Sequence, residues 1–101
     1  MVYAYTQDVP IDTDGYARIM EAIGDEPMDG LLVHLCVRRP DGGLRYIDVW
    51  ETEEQCGRAF AQRIHPAVDA FFGGRRPPVE PTTVPLEVID AGGALVGRTP
   101  V

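Results

Sequence analysis

The stretch LLVHLCVRRPDGGLRYIDVW, residues 31–50, decides the fold, because two strand-like segments flank a turn sequence. Residues 31–39 are mostly aliphatic, and residues 44–50 contain Tyr, Ile, Val and Trp, which favour extended structure. The PDGG sequence of residues 40–43 is typical of a tight turn. The stretch therefore predicts a β-hairpin, with Asp48 at the centre of its second strand, where a carboxylate is expensive to bury without a partner.

The segments before the hairpin predict one strand and one helix. MVYAYTQ, residues 1–7, alternates in the way a strand requires. The helix-like segment 13–24 carries Tyr16, Met20 and Ile23 on one face and ends at a glycine.

The segments after the hairpin predict a long helix and a last strand. Residues 51–74 begin with a capping box at Thr52 and contain Pro66, which should kink or divide the helix. Residues 75–83 form a proline-rich connector, and VPLEVID, residues 84–90, is the last predicted strand.

The resulting order is β-α-β-β-α-β, the ferredoxin-like arrangement of the α+β class, with an antiparallel sheet and both helices on one face. The length of 101 residues fits a single domain spanning 1–101. Residues 90–101 form either a further short strand or a tail.

Charge and composition exclude several classes of partner and of chemistry. The net charge of −7 argues against nucleic acid, since phosphate contacts need a basic surface. All basic residues are arginine, which excludes lysine Schiff-base chemistry. No apolar run reaches membrane-helix length, and the first ten residues do not resemble a signal peptide, so we expect a cytoplasmic chain with no membrane contact.

Alternation along the hairpin sorts its side chains into two faces. One face holds Leu31, Val33, Leu35 and Val37 together with Ile47 and Val49, and its apolar character predicts that it lies under the helices. The other, predicted to be free of helices, holds Leu32, His34, Cys36, Tyr46, Asp48 and Trp50. Tyr3 and Tyr5 are expected to join this second face from the first strand, and Glu87 and Ile89 from the last one.

The exact hairpin register stays open between two possibilities. Either His34 faces Asp48, or His34 faces Trp50 while Asp48 faces Cys36. Both make His34 and Asp48 neighbours on a face that is too aromatic for bare solvent and too polar for a dry core. Such a face is typical of a pocket wall, and we expect a second subunit to close it.

Residues 30–71 resemble the antibiotic biosynthesis monooxygenase-like proteins of the dimeric α+β barrel superfamily, most closely at GLLVH, at YIDVWETEE and along the helix that reaches Pro66. The resemblance implies a homodimer through the helix-free sheet faces, with a ligand cavity beside each sheet. Relatives in this superfamily include cofactor-independent monooxygenases of aromatic polyketides, polyketide cyclases and haem-degrading enzymes. The haem-degrading pattern is not met, because the long helix has no tryptophan and the chain has no asparagine.

The catalytic prediction is His34 as a general base oriented by Asp48, acting on a phenol or an acidic carbon. Trp50, Tyr46, Tyr3, Tyr5 and Cys36 are the predicted substrate-binding residues. His65, just before Pro66, is interpreted as a solvated residue, and no spacing typical of a metal site is present, so neither metal nor cofactor is expected. The alternative to a cofactor-independent monooxygenase is a cyclase, or a homodimer that binds or packs without catalysis.

Overall fold

The computed structural model describes residues 2–73 and 82–93. The sheet contains β1 (Tyr3–Val9), β2 (Leu31–Arg38), β3 (Leu44–Trp50) and β4 (Thr82–Leu86). The helical elements are α1 (Thr13–Ile23), α2 (Glu53–Ala59), a π-helical segment (Phe60–Ile64) and α3 (His65–Phe71).

The four strands form one antiparallel sheet in the order β2-β3-β1-β4. The chain order confirms the predicted β-α-β-β-α-β arrangement, with the second helix divided into three consecutive segments. Within the described residues, no helix is long and apolar enough to cross a membrane.

The hairpin register places His34 directly opposite Asp48, the first of the two predicted possibilities. Cys36 lies opposite Tyr46 in the same ladder. The pairing is irregular between Leu31 and Val33, where β2 contains a bulge. A bulge shifts the alternation by one residue. Leu31 therefore joins the Trp50 side of the sheet, where it packs against the core, and does not share a face with Val33 as predicted.

The two sheet faces are reversed relative to the prediction. Trp50 and Tyr5 are each only 1% exposed and pack against Cys56 and Ala59 of α2, so their face is the one that the helices cover. Leu35, predicted to lie under the helices, is 48% exposed on the opposite face. Both faces are apolar enough to be buried, and the larger aromatic side chains bury more surface against the helices.

Helix α1 is fixed at both ends by local hydrogen bonds. The Asp12 carboxylate accepts from the amide of Gly15 at 2.8 Å, which caps the first turn. At the other end Gly24, with φ of +87°, donates its amide to the carbonyl of Met20. These caps hold α1 across the sheet with Tyr16 turned towards β2.

The π-helical segment lies immediately before Pro66, where a kink or division was predicted. The amide of His65 donates to the carbonyl of Phe60, five residues earlier, instead of to the carbonyl four residues earlier. The proline ring crowds the preceding turn and supplies no N–H, so a widened turn relieves the crowding without ending the helix.

The C-terminal predictions are partly outside the described residues. Of the predicted connector 75–83, only Thr82 and Thr83 are described, and they belong to β4. The predicted tail lies outside the described residues from residue 94 onwards. β4 ends at Leu86, so Glu87 and Ile89 follow the strand and do not join a sheet face as predicted; Ile89 is 66% exposed.

Replacing Thr52 with alanine should lower the free energy of unfolding by about 1 kcal/mol, because the Thr52 hydroxyl caps α2. It accepts from the amide of Gln55 at 3.1 Å. Urea denaturation measures the change. Thr13→Ala is the matched control, since Asp12 caps that helix, and its effect should stay within about 0.5 kcal/mol. Equal losses in the two variants would contradict the capping role.

Candidate functional site

His34 and Asp48 form a hydrogen-bonded pair at the centre of the sheet, on the face covered by the helices. The Nδ1 atom of His34 forms a hydrogen bond with the Oδ1 atom of Asp48. Asp48 is only 5% exposed, and it is the one buried charged residue within the described parts of the chain. A buried carboxylate needs a donor, and the register of β2 against β3 supplies it.

Tyr16 of α1 completes a three-residue chain. Its hydroxyl lies 2.9 Å from Nε2 of His34. A carboxylate only accepts, so Nδ1 carries the hydrogen shared with Asp48, and the neutral ring keeps its lone pair on Nε2. The Tyr16 hydroxyl then donates to Nε2, and the tautomer of His34 is fixed from both sides.

Tyr46 packs edge-on against both rings of this chain. Its ring centroid lies 5.3 Å from that of His34 and 5.7 Å from that of Tyr16. Burial raises the pKa of both Tyr46 and Tyr16 above the ordinary value for tyrosine. Both phenols therefore stay protonated around neutral pH, available as hydrogen-bond donors beside the imidazole.

A cavity of about 310 Å³ lies between the sheet and the helices of the single chain. This volume lies at the lower end of the range for small-molecule sites. The wall contributed by the sheet combines polar, aromatic and apolar side chains, namely Gln7, Val9, Leu31, His34, Tyr46, Asp48 and Trp50. The cavity therefore lies between the sheet and the helices of one chain, whereas the prediction placed it on a helix-free sheet face.

The opposite walls come from the helices and are mainly apolar. Helix α1 contributes Ile19, Met20 and Ile23. The π-helical segment and α3 contribute Phe60, Ile64, His65, Val68 and Asp69. Because the π turn adds one residue to the helix, it changes which side chains after Phe60 face the sheet. The local response to Pro66 thereby helps to shape the cavity.

Four of the seven predicted site residues line the cavity: His34, Asp48, Tyr46 and Trp50. Tyr3, Tyr5 and Cys36 do not. Tyr3 and Tyr5 belong to the packing around Trp50, with their rings 5.6 Å apart. Cys36 is half-buried opposite Tyr46, and burial raises the pKa of its thiol.

Tyr5 lies behind the cavity, opposite Asp48 in the pairing of β1 with β3. Burial raises its pKa well above the ordinary value, and the nearby Asp48 carboxylate raises it further. The Sγ atom of Cys56 lies 4.0 Å from its hydroxyl oxygen. The indole Nε1 of Trp50 is buried with no hydrogen-bond partner. These side chains support the sheet wall of the cavity from the core.

Two residues outside the predicted site belong to it. Tyr16 was assigned to the buried face of α1, and that amphipathic pattern gives no information about which sheet residue it meets. His65 was interpreted as solvated; it is exposed, yet it also lines the cavity and packs edge-on against Phe60 at 5.5 Å. Its place next to Pro66 is the sequence signal that could have identified it.

No cluster of three or more potential metal ligands is present among residues 2–73 and 82–93. The chemical resources of the described site are therefore the imidazole–carboxylate pair, two phenols and an apolar enclosure. That combination can bind a small planar molecule and remove a proton from it.

Comparisons with known proteins support the fold. The structure is similar to the crystal structure of a provisionally named antibiotic biosynthesis monooxygenase from Chloroflexus aurantiacus J-10-fl, with a TM-score of 0.59 and 16% sequence identity. The alignment covers 94% of this chain and 99% of that one. No family model matches the sequence, and no curated protein matches it either.

Alkaline titration should separate folded from unfolded tyrosines. The pKa of all four, Tyr3, Tyr5, Tyr16 and Tyr46, is raised chiefly by burial. Burial favours the neutral phenol, so this contribution to stability is complete below about pH 10 and is lost as the pH rises above that value. Phenolate absorbance should appear near pH 10 only after unfolding, and the urea midpoint should fall above that pH.

Tyr46→Phe is the matched variant for this titration, and it should lose less stability between neutral and alkaline pH than the unmodified chain. Phenolate absorbance from all four tyrosines near pH 10 in the folded protein would contradict the burial of the aromatic site.

Proposed function

We propose that this chain is a small-molecule enzyme that uses His34 as a general base on a weakly acidic aromatic molecule held in the cavity. The observation that carries the proposal is the Tyr16–His34–Asp48 chain, whose imidazole and carboxylate line a mainly apolar cavity of about 310 Å³. Its reaction is oxygenation of the substrate carbanion without a cofactor. The shared fold with a provisionally named antibiotic biosynthesis monooxygenase supports that choice of reaction class.

The substrate first displaces the Tyr16 hydroxyl from Nε2 of His34, and the proton then passes from a phenol or an activated carbon to that nitrogen. Asp48 then stabilises the imidazolium through the bond that it already makes to Nδ1. Tyr16 acts as a positioning residue, because a hydroxyl can donate to the neutral ring and accept from the charged one. Phe60 provides flat apolar surface against which a planar substrate packs, while Trp50 lines the cavity with only 1% of its surface exposed.

The substrate carbanion supplies the electrons that molecular oxygen needs. For a CH₂ group between two aromatic rings, one oxygen atom replaces the two hydrogens as a carbonyl. The second oxygen atom leaves with those hydrogens as water, so the reaction needs no external reductant. Proton removal by His34 is the step that the protein must accelerate.

Oxygen uptake with anthrone tests this reaction. Anthrone is a planar molecule with a CH₂ of the required kind, and its oxygenation to anthraquinone is followed by absorbance. His34→Ala should lower the rate by about 100-fold or more, since general-base catalysis contributes on that order. Tyr16→Phe should lower it by about fivefold, the effect of one hydrogen bond.

Tyr3→Phe is the matched control for Tyr16→Phe, because Tyr3 packs in the core beside Tyr5 whereas Tyr16 is hydrogen-bonded to His34, and its rate should equal that of the unmodified chain. Circular dichroism checks that each variant is folded. Anthrone binding without oxygen uptake would contradict the monooxygenase and would favour a cyclase or a non-catalytic binding protein.

The partner that we propose is a second copy of this chain, docked through the helix-free sheet face. That face is apolar in its middle, where the register places Ala4, Val33, Leu35, Ile47, Val49 and Val84. Leu35 and Val84 are 48% and 50% exposed, and Leu86 of the same sheet is 44% exposed. Exposed large apolar side chains on one flat sheet are typical of a protein–protein interface. Covering them with the same face of another chain forms the two-sheet barrel.

Leu35→Glu should convert the homodimer to a monomer, because it places a charge in the apolar interface. Sedimentation velocity measures the mass. Ala22→Glu, at an exposed position on α1, is the control and should leave the dimer intact. A monomeric unmodified chain would contradict this interface, and it would leave the cavity within the single chain unaffected.

A further inference from the structure

The formal charges around the cavity are all negative among the described residues that line it. Asp48 and Asp69 contribute carboxylates, and none of the described lining residues is an arginine. The chain has no lysine at all. The described wall therefore offers two histidines, one amide and the phenol of Tyr46, but no permanent cation to pair with an anionic ligand.

Three arginines adjoin lining residues in the sequence, namely Arg18, Arg45 and Arg63. Arg18 is exposed, and Arg45 donates to the carboxylate of Asp8 at 2.6 Å. Arg63 precedes Ile64, and its guanidinium donates to the backbone carbonyls of Ile23 and Glu26 at 2.9 and 2.8 Å. It also donates to the carbonyl of Pro27 at 3.2 Å. These bonds tie the π-helical segment to the loop after α1. They occupy Nη1 and Nη2 of the guanidinium with backbone carbonyls.

The carboxylate of Asp48 acts at short range with little screening. It is 5% exposed, so neither water nor dissolved ions weaken its field inside the cavity as they do at the surface. Its partner His34 carries a positive charge only when it is protonated. While Nε2 of His34 is unprotonated, the pair has the formal negative charge of the Asp48 carboxylate.

We infer that the cavity selects uncharged, weakly acidic molecules, such as phenols and enolisable ketones, and rejects molecules that carry a carboxylate or a phosphate at the ring system. This inference rests on the proposed function and specifies its substrate class. The substrate enters as a neutral acid and transfers its O–H or C–H proton to Nε2 of His34. The resulting anion then lies beside the imidazolium, so negative charge arises only where a positive charge arises with it.

A matched pair of naphthalene probes tests the inference. 2-Naphthol is neutral at neutral pH, whereas 2-naphthoate is an anion of similar shape. Isothermal titration calorimetry measures both affinities, and fluorescence of Trp50, the single tryptophan, reports occupancy of the cavity. We expect 2-naphthol to bind about tenfold or more tightly than 2-naphthoate, from repulsion by a buried charge at short range.

Variants separate a local effect from the charge of the whole chain. Asp69→Asn removes the exposed carboxylate that lines the cavity. It should reduce the difference in affinity between 2-naphthol and 2-naphthoate, and the reduction should be larger at low salt than at high salt. Asp25→Asn is the matched control at an exposed position outside the lining, and it should leave the discrimination unchanged.

Equal or tighter binding of 2-naphthoate would overturn the inference alone and leave His34 as the base. The inference would also be overturned if Asp25→Asn and Asp69→Asn reduced the affinity difference between the two probes equally, because the net charge of the chain would then explain the repulsion. If neither probe binds, the inference and the proposed function both fail.

Discussion

The hydrogen bond from His34 to Asp48 is the interaction on which the architecture of the site depends. A carboxylate at the centre of a sheet, 5% exposed, is tolerated only with a donor directly opposite it. The antiparallel register of β2 and β3 provides that donor, and a slip of β2 by one residue would turn His34 to the opposite face of the sheet. The same bond fixes the imidazole tautomer, so one interaction contributes to fold specificity and to the proposed chemistry.

The helices form the walls of the cavity opposite the sheet. The caps of α1 set the position from which Tyr16 reaches Nε2 of His34 at 2.9 Å. On the other side, the widened turn before Pro66 allows the second helix to continue while Phe60 and His65 both line the cavity. Arg63 ties this turn to the loop after α1. The enclosure is therefore held by polar contacts at its edges and by apolar packing along its walls.

The two sheet faces divide the roles. The face under the helices carries the large aromatic side chains and the polar pair, and it encloses the cavity. The other face carries smaller aliphatic side chains, and Leu35 remains about half exposed. Site and proposed interface thus lie on opposite sides of one sheet, and a change at the dimer face should not alter the His34–Asp48 pair directly.

The sequence by itself determined the order of the elements, the position of the hairpin and the grouping of His34 with Tyr46, Asp48 and Trp50 on one face. These features follow from local turn chemistry and from the period of two along a strand, which need no knowledge of distant contacts. Only the tertiary structure decided which face the helices cover, because both faces are apolar and periodicity is symmetric between them. The tertiary structure also determined the bulge before Val33 and the hydrogen bond between Tyr16 and His34, since both depend on packing between elements distant in sequence.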